Sequence, residues 1–201
     1  MRKPNSYVHL SFDLVEGFVP RIPKSRLETE DSVTPRICVA KYIPQALSAM
    51  PAAGKTIEAM LEIGMPVVIH AYYLQSDAVI QTGDLLEAVP DAGYTGEIWI
   101  TERPQKVWRA DYELRDIYLY HTKDRYGKET VIPDAYELKK VHYQDNWKNL
   151  FQAMGIKETD GFREVMANTS FSSMIIHLLP ELKRYKAKEK ENEGMLRNMP
   201  V

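Results

Sequence analysis

The sequence predicts an α+β fold with a mostly antiparallel sheet and few helices, followed by a helical C-terminal extension. β-Favouring and polar residues alternate over residues 7–12, as in a half-buried strand. Three more strand-like segments follow one another between residues 95 and 122, and helix-like patterns with a Lys- and Glu-rich run come after Asp145. We therefore place a compact domain at residues 5–143 and the extension at residues 144–201.

The first elements of the chain follow from local patterns. After the strand at residues 7–12, prolines and charges interrupt residues 16–35, which indicates a long connection. Residues 36–40 indicate a short buried strand, and residues 44–50 indicate a helix with proline in its first turn. Thr56 is expected to cap a second helix.

The rest of the chain carries one strong strand signal and several weaker elements. Residues 67–74 are nearly all apolar or aromatic, which predicts a buried strand. We also predict a helical turn at 83–88, strands at 95–101, 106–114 and 116–122, a turn at 124–128, helices at 146–154 and 162–166, and a charged terminal helix from Pro180.

Composition restricts the class of protein. A hydrophobic share of 44% with 27% charged residues is typical of a chain that folds around a core. The net charge of −2 gives no basic excess for nucleic acid, and the apolar stretches are shorter than the roughly 20 residues of a membrane helix. The single cysteine, Cys38, suits a reducing compartment. We expect a cytoplasmic protein, in a bacterium or an infected cell, with no membrane contact.

Three well-known site motifs are incomplete in this sequence. The run from Ala53 to Thr56 resembles the end of a phosphate-binding loop, but Ala49 stands where the leading glycine belongs. His9 and Ser11 form only one copy of a His-x-Ser element, whereas a two-histidine phosphodiesterase needs two. The five histidines show no close pairing with carboxylates at ligand spacing, so no metal is predicted.

Three segments carry residues suited to chemistry on a dinucleotide. His9 lies on the first strand, Arg21 and Arg36 flank the long connection, and Glu97 follows a glycine on a later strand. A donor for the ribose, a cation for the pyrophosphate and a carboxylate for positive charge at the anomeric carbon are the groups that chemistry at the nicotinamide riboside bond needs. These residues form the candidate site if the fold gathers them in one cleft.

The same segments resemble a group of small phage and bacterial proteins. The shared elements are a first-strand histidine, Pro-Arg-x-Pro, Thr-Pro-Arg-hydrophobic-Cys and Gly-Glu-x-Trp, spanning residues 7–109. Their layout is similar to the ADP-ribosyltransferase fold. The resemblance implies a domain that binds NAD or a related nucleotide and transfers or hydrolyses ADP-ribose. It implies His9 and Glu97 as catalytic residues, and His9, Arg21 and Arg36 as nucleotide ligands.

The resemblance also implies a middle residue that contacts the nucleotide. The candidates for that position are Tyr42, Tyr72 and Tyr73, of which Tyr72 is taken as the ligand. The sequence departs from the family pattern because it has no Ser-Thr-Ser element. The Gln/Glu-x-Glu pair of arginine-directed transferases is also absent, since Gly96 stands before Glu97 and Trp99 stands two residues after it, so transfer to arginine is not implied.

Each candidate also has a structural interpretation. In that interpretation His9 is a partly buried strand histidine and Glu97 is a solvent-facing strand carboxylate. The two arginines then pair with the acidic residues at 28, 30 and 31. The leading functional alternative is a non-catalytic phage or bacterial protein that binds and modulates a host protein through the helical extension. The apolar stripe at residues 171–179 docks either on such a partner or on the domain itself. A minor structural or assembly protein is the third hypothesis.

Overall fold

The computed structural model describes residues 6–23, 30–89, 91–123, 127–155 and 168–197, with side chains described as far as residue 188. The strands are β1 (Ser6–Ser11), β2 (Ile37–Ala40), β3 (Val67–Gln75), β4 (Val79–Ile80), β5 (Glu97–Ile100), β6 (Lys106–Lys123) and β7 (Glu129–Val141). The helices are α1 (Ile43–Ala49), α2 (Ala53–Glu62), α3 (Thr82–Leu85), α4 (Ala92–Thr95), α5 (Asn146–Ala153) and α6 (Phe171–Arg197).

All seven strands of the described residues form one sheet in the order β4-β5-β2-β1-β3-β6-β7. Every pair of neighbouring strands is antiparallel. The predicted α+β class with an antiparallel sheet is therefore confirmed. The first strand lies in the middle of the sheet because β2 and β3 add to opposite sides of it.

The two faces of the sheet are covered differently, and the alternation of β1 shows how. Val8 and Leu10 point into the main core, where α1 and α2 pack on the sheet. Tyr7 points to the other face, where Val15 and Phe18 of the long connection pack on it. We call these the helix face and the loop face. Successive strand residues alternate between them.

The β6–β7 hairpin differs from the prediction. The expected strands at 106–114 and 116–122 form one 18-residue strand, β6, which bends at Asp116, where φ is 48° and the pairing with β7 shifts. The extra residue of a bulge changes which side chains face the core without ending the strand. Strand β7 was not predicted, since Pro133 and several charges hide its alternation, yet both are tolerated in an edge strand.

Helix α2 starts earlier than predicted and reaches the hairpin. It begins at Ala53, so Thr56 lies inside the helix, where its Oγ1 donates to the carbonyl of Ala52 at 3.0 Å rather than capping the first turn. Gly54 contacts the backbone of Val131 closely enough that no side chain fits between them. Helix α2 therefore covers the beginning of β7.

Residues after 143 share the core of the residues before it. The Nδ2 amide of Asn146 donates to the carbonyls of Phe12 and Val68, both at 2.9 Å. Phe171 and Ile175 of α6 are fully buried in the main core. The apolar stripe of residues 171–179 thus docks on its own domain.

Helix α6 begins at Phe171 rather than near Pro180 and carries that proline in its interior. None of the helices in the described ranges is long and apolar enough to cross a lipid bilayer. The expected helix at 162–166, and residues 124–126 of the expected turn, lie outside the described residues.

Candidate functional site

Four of the five predicted site residues are divided between the two faces of the sheet, and the fifth, Arg21, lies in the long connection. His9 and Tyr72 are paired across β1 and β3 and lie on the loop face. Glu97 lies on the helix face with Trp99, whose ring packs among the apolar side chains of α3 and α4, and Arg36 lies over that ring. The structure therefore brings Arg36 and Glu97 together but does not bring either of them to His9 or Tyr72.

Arg36 is buried, and both terminal nitrogens of its guanidinium have partners. Its guanidinium forms ion pairs with Glu30 and with Asp31, the latter at 3.2 Å, and donates to the carbonyl of Thr34 at 3.0 Å. Its Cζ lies 3.9 Å from the ring centroid of Trp99, a cation–π geometry. A buried arginine needs such partners to offset its desolvation. The Thr-Pro-Arg element thus holds the end of the long connection on the sheet.

Arg21 reaches Arg36 through its backbone. The two residues form an isolated antiparallel bridge, with N–H to O distances of 3.1 and 3.0 Å in the two directions. Arg21 itself is exposed. The two arginine elements of the sequence are therefore paired parts of one loop.

Glu97 is half-buried and hydrogen-bonded. The indole Nε1 of Trp99 donates to its Oε1 at 2.7 Å, and the Cys38 thiol is a second partner. Burial raises the pKa of Glu97 above its ordinary value, even though both hydrogen bonds act in the opposite direction. Burial also raises the pKa of Cys38, and the neighbouring Glu97 raises it further, so this thiol is held protonated.

His9 and Tyr72 help to fix the long connection on the loop face. The Nδ1–H of His9 donates to the carbonyl of Cys38 at 2.9 Å, and the edge of its ring meets Phe18 at a centroid distance of 5.3 Å. The hydroxyl of Tyr72 accepts from the amide of Val15 at 2.8 Å. Burial lowers the pKa of His9, which keeps the ring neutral, and raises that of Tyr72. Both side chains therefore have the surroundings of packed structural residues.

A second polar cluster was missed by the sequence reasoning. The buried carboxylate of Asp111 accepts from His70 Nδ1 at 3.0 Å, from Arg109 at 2.7 and 2.6 Å, and from the amide of Gln144 at 2.7 Å. Tyr143 stacks on the guanidinium of Arg109 at 3.7 Å. This cluster attaches the segment between β7 and α5 to the loop face. An Arg-x-Asp pair on one strand face was the only local signal for it.

Two exposed tyrosines lie beyond the bend in β6. Tyr118 and Tyr120 are 59% and 53% exposed and point away from the core, opposite Ala135 and Ile132 of β7. We call these four residues the tyrosine face. The Tyr-x-Tyr alternation indicated a strand face, but its exposure depends on the bulge at Asp116, which the sequence did not reveal.

The comparisons with known proteins gave no match: no family model, no curated protein and no solved structure is similar to this chain. Within the part of the chain that the structure describes, no group of three or more His, Cys, Asp or Glu side chains is arranged to hold a metal ion.

Proposed function

We propose that this chain is a non-catalytic binding protein that contacts a protein partner through the tyrosine face. The observation that carries the proposal is the exposure of Tyr118 and Tyr120 side by side on one strand. Tyrosine rings supply a large contact area and a polar hydroxyl, and they are enriched where protein interfaces gain most of their energy. Ile132 and Ala135 extend the same surface across the hairpin.

The internal engagement of the polar residues supports the same proposal. A general base or a nucleotide ligand must be able to reach its substrate. Arg36 is enclosed by two carboxylates and an indole, and His9 is held by a backbone carbonyl and Phe18. The tyrosine face, by contrast, offers side chains that face solvent.

The proposed interface differs from the one expected on the helical extension. Phe171 and Ile175 of the apolar stripe of α6 are buried in the core of the same chain. A partner therefore cannot contact them. Truncating the chain near residue 145 would therefore remove part of the core together with any interface. Point substitutions on the hairpin are the cleaner experiment.

The test compares cross-linked partners of three proteins in the cells that produce this chain. Wild type, a Tyr118→Ser/Tyr120→Ser double variant and a Tyr94→Ser control are cross-linked and analysed by mass spectrometry. Tyr94 is 78% exposed on α4, away from the hairpin. We expect a partner that is captured by wild type and by the control but lost in the double variant. Equal capture by all three proteins, or capture by none, would refute the proposal.

An ADP-ribosyltransferase-like fold that binds NAD is the second candidate, favoured by one observation. Arg36 and Glu97 both lie beside Cys38, so a cation and a carboxylate of raised pKa share one place on the helix face. In this proposal they hold the nucleotide and stabilise the reacting sugar.

A thermal-shift titration with NAD and ADP-ribose tests the nucleotide proposal, because a ligand that binds only the folded state raises the Tm. We expect a shift that Glu97→Gln abolishes and that the exposed control Glu102→Gln retains. The absence of a shift with both ligands would leave the protein-binding proposal alone.

A further inference from the structure

Strand β7 is an edge of the sheet, and its two halves have different surroundings. At its beginning, α2 packs against the backbone of Val131, and Pro133 has no N–H to offer. Beyond this point, at residues 134–141, most side chains are exposed, and in the described sheet β6 is the only strand that borders β7. An open strand edge is a template for pairing with another strand. We call residues 134–141 the open edge.

From these features we infer that the open edge pairs with the same edge of a second copy of this chain, antiparallel and centred on Leu138. A two-fold axis at Leu138 places that residue opposite itself, because a symmetric contact joins identical surfaces. Leu138 is 37% exposed and lies opposite the buried Leu114 on the helix face. The pairing would extend the apolar core of one copy into that of the other.

The charges along the open edge fit this register. With Leu138 on the axis, Glu137 of each copy lies opposite Lys139 of the other, and both side chains point to the loop face. Within one copy, Glu137 already lies opposite Arg115, and Lys139 lies opposite Glu113. The dimer therefore has a row of alternating charge across four strands. Opposite charges at directly paired positions stabilise a sheet, whereas like charges there destabilise it.

A register shifted by one residue no longer pairs these opposite charges. Centring the pairing on Lys139 would place lysine opposite lysine on the axis, and centring it on Glu137 would place two glutamates there. Both alternatives bring like charges together at the centre of the contact. The register at Leu138 is the one in this part of β7 that joins an apolar pair at the axis to two opposite-charge pairs.

The test uses charge reversal and mixing, followed by sedimentation velocity over a wide range of protein concentration. Wild type is expected to show a concentration-dependent dimer. Glu137→Lys alone and Lys139→Glu alone each place like charges opposite each other twice, so each is expected to weaken the dimer about tenfold or more. Each reversal also places a like charge beside Arg115 or Glu113 of the same copy, but these positions are exposed, so the Tm should fall only slightly.

Mixing the two single variants makes the test specific to the register. In the mixed pair, each introduced charge faces an opposite charge of the other variant, so a heterodimer should form although neither variant dimerises alone. The double variant Glu137→Lys/Lys139→Glu should dimerise with itself again. The control Lys123→Glu changes an exposed charge on β6 and should leave the dimer intact.

Three results would overturn the inference. A wild-type protein that stays monomeric at every concentration excludes the contact. A dimer that both single variants retain uses another surface. A mixture of the two single variants that remains monomeric rules out the register centred on Leu138.

Discussion

Gly54 lies against Val131 so closely that a β-carbon added to Gly54 would overlap the carbonyl oxygen of Val131. This contact joins α2 to β7 through two residues that are more than 70 positions apart in the chain. It explains why a residue of poor helix propensity occupies the first turn of α2, where alanine would otherwise be preferred.

Gly54→Ala should therefore destabilise the protein although it improves helix propensity. The added methyl group must push α2 and the hairpin apart, and overpacking of this kind costs roughly 1–3 kcal/mol or more. Gly83→Ala is the matched control, because no atom lies within 4 Å of the added carbon in α3. Urea unfolding should place Gly83→Ala within about 1 kcal/mol of wild type. Similar stability of the two variants would contradict the close contact.

Asp111→Asn should be strongly destabilising because it removes one partner of a buried ion pair. Arg109 and His70 would lose the carboxylate that both of them contact. Breaking a buried charge cluster from one side costs about 3–5 kcal/mol. The control Glu113→Gln disturbs only the partly exposed pair with Arg115, which is worth under about 1 kcal/mol. Chemical denaturation of both variants gives the comparison.

Acidification should destabilise the protein through His70. Burial lowers the pKa of His70 in the folded state, even though its bond to Asp111 raises it. The unfolded chain takes up a proton near pH 6.5, so the unfolded state binds more protons as the pH falls below that value. The stability that the neutral imidazole provides is fully present above about pH 6.5 and decreases below it.

The pH dependence of Tm in His70→Gln checks this assignment. The slope below pH 6.5 should become shallower than in wild type, while a slope from His9, whose pKa is also lowered by burial, remains. His121, which is exposed, supplies the control variant His121→Gln. If His70→Gln and His121→Gln showed the wild-type slope alike, the buried imidazole would not be its source.

Phe171→Ala should destabilise the whole domain rather than release the helical extension alone. The ring is fully buried against Phe12 and Trp147, and removing a buried phenylalanine costs about 3–5 kcal/mol. Leu86→Ala, at a position 56% exposed, should change stability by less than about 0.5 kcal/mol. A single unfolding transition at lower denaturant is expected for Phe171→Ala. Two separate transitions would indicate independent units.

Cys38 should react slowly with thiol reagents in the native protein. Its pKa is raised by burial and by the carboxylate of Glu97, so little thiolate exists at neutral pH. Titration with a chromogenic disulfide at pH 8 should show slow modification that becomes fast in denaturant. Glu97→Gln removes the negative neighbour and should increase the native rate. Fast modification of the wild-type protein would show that the thiol is accessible.

Most of the local elements could be predicted from the sequence. Strands β1 and β3 follow from alternation and from a continuous apolar run, and α5 follows from its amphipathic pattern before Gly155. These signals lie within a few residues of each other. The bend of β6 and the strand β7 were not predicted, because both depend on α2 and on the hairpin partner rather than on local propensity.

The candidate site was less predictable, because a site depends on which strands become neighbours. The strands that carry His9 and Glu97 were both predicted from their alternation. The order β5-β2-β1 and its register, however, place the two residues on opposite faces. Glu97 was also expected to face solvent in the structural interpretation. It is half-buried because helices cover its face of β5 while the long connection covers Ile98 and Ile100.

The contact between Asp13 and the amide of Phe171 joins residues 158 positions apart, and it has a consequence for the order of assembly. The central strand β1 is synthesised before α6, so Phe12 beside it stays without its aromatic neighbour until α6 has been made. A chain growing from its N-terminus therefore carries an open core until α6 has been made, and contacts this distant slow folding. This core is therefore expected to reach its native packing only after α6 is available.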